Sequence, residues 1–178
     1  MKRRLLCCVL LALAIDAWAH RLDEYLQAIR VSVATNRVDL SIDLIPGVAV
    51  ASRLLAVIDK DRDGQVSKDE HTAYAHLVLK DLQIGLDQRK LAMSLVDTSF
   101  PALAEIRDGL GVIRIKATAS VGPLAAGDHA LTITNAHQPT ISVYHVNALR
   151  PKDDAIKITR QIRDELQKDY RLEFSVTR

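Results

Sequence analysis

The strongest constraint on this chain is a change of hydrophobic period along it. Ile29, Val31 and Val33 alternate with polar Arg30 and Ser32, and Val38, Leu40, Ile42 and Leu44 alternate with Asp39, Ser41 and Asp43. Alternation at period two puts all the apolar side chains on one face of a strand. Thr35-Asn36-Arg37 separates the two runs, so they predict a hairpin with one apolar face, stopped by Pro46-Gly47. The period then lengthens. Val50, Leu54, Leu55 and Ile58 fall at helical spacing, and so do Tyr74, Leu77 and Val78. From Leu82 the period returns to two. A strand pattern cannot bury its apolar face as a helix, nor the reverse, so a helical pair over about residues 48–80 is predicted to interrupt a β protein.

The remaining patterns are also β. Leu82, Ile84 and Leu86 form one strand, Asp87-Gln88-Arg89 a turn, and Leu91, Met93 and Leu95 its return. Pro101 and Asp108-Gly109 punctuate a loop. Val112–Ala119, His129–Thr134, Ile141–Asn147, Ile156–Arg160 and Leu172–Val176 read as further strands. Residues 161–168 fit either a short helix or an irregular hairpin end. About eight short strands separated by turn signals predict a mainly β, antiparallel, sandwich-like domain.

The first residues carry a different signal. Lys2-Arg3-Arg4 precedes an apolar run from Leu5 to Ile15, and Ala17-Trp18-Ala19 has the small-x-small form of a cleavage site. This order predicts a secretory signal peptide over residues 1–19 and a periplasmic or secreted protein. The run is shorter than the roughly 18 residues of a membrane span, and Asp16 interrupts it. An uncleaved anchor is the competing reading. No later segment is apolar enough to span a membrane, so none is expected after cleavage.

Cleavage after Ala19 leaves 159 residues, enough for one domain with its own core. Both cysteines, Cys7 and Cys8, would be removed, leaving no disulfide, thiol nucleophile or thiolate metal ligand. The removed segment also takes three basic residues and one acid. From 24 Lys+Arg and 22 Asp+Glu, 21 of each remain. A balanced chain gives no electrostatic case for nucleic acid as a partner.

Between the two helical patterns stands D-K-D-R-D-G-Q-V-S-K-D-E, Asp59 to Glu70. Alternate aspartates, a glycine at the sixth place, an apolar residue at the eighth and a closing glutamate form a specific combination. This segment, with its flanking helices about thirty residues long, resembles the EF-hand family. The resemblance implies a calcium ion held by carboxylates of Asp59, Asp61 and Asp63, the backbone carbonyl of Gln65, Ser67 directly or through water, and both oxygens of Glu70. Gly64 supplies the sharp turn, and Val66 faces inward. Magnesium, which demands a tighter six-fold shell, is expected to compete poorly. One departure matters: EF-hands usually come in pairs, and this chain has one loop. The β-domain is expected to support the hand in place of a second one. Affinity would then sit in the range of roughly 10⁻⁴–10⁻³ M seen in extracellular modules.

His20 becomes the mature N-terminus after cleavage, and a terminal amine with its own imidazole chelates copper or nickel. In that respect the chain resembles exported β-sandwich copper-resistance proteins. A second ligand would come from His129, His137 or His145. His71 and His76 read as exposed or helix-packing residues, and Tyr144 and His145 must face opposite sides of one strand. The opening His20–Gln27 and the later Ile141–Asn147 resemble exported N-terminal domains found beside nickel-transporter-like membrane segments of the hydrogenase and urease accessory type. That resemblance implies a separate membrane partner.

No Gly-x-Ser-x-Gly elbow, phosphate-cradling glycine loop or His-Glu-x-x-His is present. These absences weigh against an enzyme, while scattered catalytic residues leave that class open. The expectation is an exported calcium-binding protein with a structural or interaction role toward another exported or membrane protein. The alternative is a copper- or nickel-binding or delivery protein that uses His20.

Overall fold

The structure is a computed structural model that describes residues 22–177. The predicted signal peptide and His20 lie outside the described residues. Strands β1 (Tyr25–Ala34) and β2 (Arg37–Pro46) form the predicted hairpin, with Ala34 opposite Arg37 and Thr35-Asn36 as its turn. Buried and less buried residues alternate along both. Burying each side chain such as Leu40 or Ile42 contributes about 1.5–3 kcal/mol, which pins the register.

Helices α1 (Val48–Ile58) and α2 (Lys68–Asp81) follow, then β3 (Leu82–Leu86), β4 (Arg89–Lys90), β5 (Ser94–Ser99), α3 (Leu103–Arg107), β6 (Ile113–Ser120), β7 (Gly127–Asn135), β8 (Ser142–Ala148), β9 (Ile156–Arg163) and β10 (Asp169–Val176). The strands make two five-stranded sheets, ordered β5-β6-β2-β1-β8 and β4-β3-β7-β10-β9. The helical pair is therefore the bridge from one sheet, at β2, to the other, at β3. Val31, Leu40 and Ile115 of the first sheet share one core with Ile84, Leu131 and Phe174 of the second. Among the described residues, no helix is long and apolar enough to cross a membrane.

Three sequence expectations need correction. Leu91, Met93 and Leu95 do not form one return strand. The hairpin partner of β3 ends at Lys90, Leu91–Met93 is irregular, and Leu95 belongs to β5 in the other sheet. The apolar alternation there marks a chain crossing between layers. The sheets are also not wholly antiparallel, because β8 pairs with β1 in parallel, Tyr25 opposite Ser142. Between Pro101 and Asp108-Gly109 a short helix, α3, buries Ile106. The open choice at residues 161–168 resolves as a hairpin end: Asp164 N–H donates to the Asp169 carbonyl at 3.0 Å, and Gln167 takes φ +56°.

Candidate metal centre

Helix α1 buries Val50, Ala51, Leu54, Leu55 and Ile58 on one face and ends at Asp59, whose N–H donates to the Leu55 carbonyl at 2.8 Å. The loop beyond it is wound by its own aspartates. Asp59 Oδ2 accepts from Gly64 N at 3.2 Å, Asp61 Oδ1 from Asp63 N at 3.2 Å, and Asp63 Oδ1 from Gln65 N at 2.7 Å. Gly64 sits at φ +81°, and a Cβ added there would meet nothing within 4 Å. The glycine is needed for its backbone angle and not for space. Val66 is half-buried and packs on the core, which anchors the loop from inside.

Winding the loop brings one carboxylate oxygen from each of Asp59, Asp61 and Asp63 within 4.8 Å of one another. Asp59 Oδ1 is buried and has no hydrogen-bond partner. A buried carboxylate oxygen without a donor is costly, and an oxygen-seeking cation relieves that cost. The residues fit a calcium ion on these grounds. Glu70 does not join the group of three. Its Oε1 accepts from Lys60 N at 2.7 Å across the loop, and its Oε2 accepts from Ser67 N and Ser67 Oγ, both at 2.9 Å. Ser67 Oγ accepts in turn from Glu70 N at 3.3 Å, completing a capping box on α2. The donors of Ser67, with Lys60 and Asp61 N–H behind them, hold the Glu70 carboxyl below its ordinary range, so it stays ionised. Gln65 is exposed, as fits a residue needed for its backbone.

Helix α2 is clamped to the sandwich by side chains that sequence reasoning did not assemble. His71 stacks on Phe100 with ring centroids 4.1 Å apart. One turn on, the Tyr74 hydroxyl lies 2.8 Å from the Tyr25 hydroxyl of β1 and 3.1 Å from His137 Nε2. His137 Nδ1 meets Asp81, the last residue of α2, at 2.8 Å. The His137 backbone is held as firmly. Its carbonyl accepts from Gln27 Nε2 at 2.8 Å, Tyr144 OH at 3.0 Å and Ser142 Oγ at 3.1 Å, and its N–H donates to Asn135 Oδ1 at 2.9 Å. Burial lowers the His137 pKa, and Asp81 opposes that only in part. Burial likewise raises Tyr74 to about 12. One signal pointed here: Gln27 is a polar residue on the apolar face of β1, between Tyr25 and Ile29, and such a residue needs buried partners.

The other histidines fall into two groups. His129 uses both ring nitrogens, Nδ1 on Asp87 at 2.7 Å and Nε2 on the Ala125 carbonyl at 2.9 Å. With His137 also engaged at both nitrogens, neither presents a free metal-ligating atom. His145 is exposed on β8 while Tyr144 is buried, on opposite faces as the strand period requires, and His76 is exposed on α2. No family model matches this chain, and no curated protein or solved structure is significantly similar to it.

Proposed function

We propose that residues 59–70 are a calcium site of the EF-hand type, carried on an exported β-sandwich protein. The observation that supports this most directly is the convergence of Asp59, Asp61 and Asp63 within 4.8 Å around a left-handed Gly64, with the buried Asp59 Oδ1 left unpartnered. Asp59, Asp61 and Asp63 would hold the ion with the Gln65 carbonyl and Ser67, and Glu70 would complete the shell after releasing Lys60 and Ser67. The ion supplies charge neutralisation. The three gathered aspartates repel one another without it, so binding orders the loop and stabilises the fold by linkage.

A solitary hand lacks the pairing partner that a second loop usually provides. Here Val66, Phe100, Tyr25 and His137 take that place by holding the loop and α2 against the sheets. A hand built into a domain in this way suits a structural or interaction role, with an exported or membrane protein as partner. Calorimetric titration of the protein lacking residues 1–19 tests the reading. One calcium site is expected, lost in both Asp59→Ala and Glu70→Gln. Absence of heat, together with no thermal shift at several millimolar calcium, would sink it.

A further inference from the structure

The chain Asp81–His137–Tyr74–Tyr25 has only one self-consistent direction of donation. Asp81 is a carboxylate, so His137 Nδ1 donates to it. In the neutral ring Nε2 is then an acceptor, filled by the Tyr74 hydroxyl, and the Tyr74 oxygen accepts from the Tyr25 hydroxyl. Every hydrogen has a place. A second proton on His137 upsets the outer half. Nε2 must donate to Tyr74, and whether Tyr74 then donates to Tyr25 or Tyr25 keeps donating to Tyr74, one buried tyrosine hydrogen is left with no acceptor among the described residues. The charged and titratable groups facing the ring are Asp81 and Tyr74 from α2, Tyr25 from β1 and Tyr144 from β8. Gln27, Asn135 and Ser142 around it are neutral.

The helix in this chain is the one that carries Glu70. Tyr74 is one turn beyond Glu70, and Asp81 two further turns on, so all three lie on the buried side of α2. Whatever loosens Tyr74 and Asp81 loosens the end of the loop.

We propose that Asp81–His137–Tyr74–Tyr25 is an acid-operated latch: neutral His137 holds α2, and with it Glu70, on the sandwich, and protonation frees the helix and weakens the loop's hold on a divalent cation. The last clause rests on the calcium reading, and the latch itself does not. Acid acts here below the ordinary histidine value of about 6.5.

Hydrogen exchange on the calcium-free protein at pH about 7.5 and about 5.5, corrected for intrinsic rates, reads the latch directly. Amides of α2 are expected to lose protection at least about tenfold while those of β2 and β6 keep theirs. In His137→Asn, whose amide still donates to Asp81 but does not titrate, the acid response of α2 is expected to vanish. Unchanged α2 protection in the natural protein overturns the proposal. So does an undiminished acid response in His137→Asn, which would move the effect to His71 beside Glu70. Should that variant fail to fold, an NMR titration of the His137 ring decides, since helix loosening must share its midpoint. Calcium titration at both pH values adds the last arm. Affinity is expected to fall more steeply with acid in the natural protein than in His137→Asn, and equal slopes overturn the calcium clause. No calcium heat at either pH, with α2 still loosening, removes the calcium reading and leaves the latch standing.

Discussion

Two histidines at opposite ends of β7 carry the same partner and opposite tendencies. His129, near the start of the strand, has Asp87 on Nδ1 at 2.7 Å, and His137, two residues past its end, has Asp81 on Nδ1 at 2.8 Å. Yet the His129 pKa is raised and that of His137 is lowered. The difference lies at the far nitrogen and in the surroundings. His129 Nε2 faces the Ala125 carbonyl, which only accepts, so that contact first and Asp87 second favour the imidazolium. His137 Nε2 faces a hydroxyl able to donate, and its side chain is 1% exposed against 11% for His129. A carboxylate beside a histidine therefore does not by itself decide the charge. The second partner and the cost of burying an ion decide it.

Removal of each ring breaks the comparison most sharply. His137→Ala strips partners from Tyr74 and Asp81 in a buried setting and is expected to cost about 2–4 kcal/mol, read as a shift of the urea midpoint. His129→Ala removes a peripheral clamp on the β3–β4 turn and is expected to cost about 1 kcal/mol or less. Equal costs would mean that burial does not separate the two pairs.

The pH profile of stability sharpens the comparison. A histidine lowered on folding contributes stability that is full above its unfolded value of about 6.5 and is lost as pH falls toward the folded value. His137 therefore weakens the protein in mild acid. His129 is raised, so its contribution is full below about 6.5 and is lost as pH rises through its folded value. Unfolding at pH about 7.5 and about 5.5 is expected to show a larger acid loss in His129→Gln than in the natural protein, and a smaller one in His137→Asn. The opposite ranking would reverse the assignment of charge.

A finer test is Tyr25→Phe, which removes only the end of the buried chain. It is expected to cost about 1 kcal/mol, the net value of one hydrogen bond, without unfolding the domain. The smallest effect belongs to Asp87→Asn. It keeps the acceptor for Ala130 N–H, removes the charge beside His129, and is expected to change stability by no more than about 0.5 kcal/mol. Its signature is spectroscopic: the His129 ring should titrate at lower pH in the variant, while the His137 ring stays unchanged.

Much of the fold was legible because burial writes itself as period. The β1–β2 hairpin, both helices and most later strands carry one apolar face each, at two or 3.6 residues. The exceptions have local reasons. Leu91 and Met93 keep strand alternation but cross between sheets, so they are only partly buried and belong to no strand, although Leu91 N–H still donates to the Ile84 carbonyl of β3. Helix α3 is five residues long, too short to show a helical period, and it buries only Ile106. In the loop, the spacing of the aspartates with Gly64 was readable as a set, since each is placed by backbone geometry inside twelve residues. The contact of Glu70 with Lys60 was not, because it depends on how α2 closes back on the end of α1, whereas its contact with Ser67 is the local capping box.

By itself the sequence determined what is local: which segments bury a face as strand or helix, where Gly64 must turn, and which three aspartates the loop winds together. These follow from side-chain period and backbone angle within a few residues. Only the tertiary structure decided that β8 lies parallel beside β1, that the helical pair bridges two sheets, and that His137 meets Asp81 and Tyr74 of α2 and Gln27 of β1. Those contacts join residues 56, 63 and 110 positions apart, and no local period encodes a partner at that distance. They form because each polar group carried into the core must find a partner there.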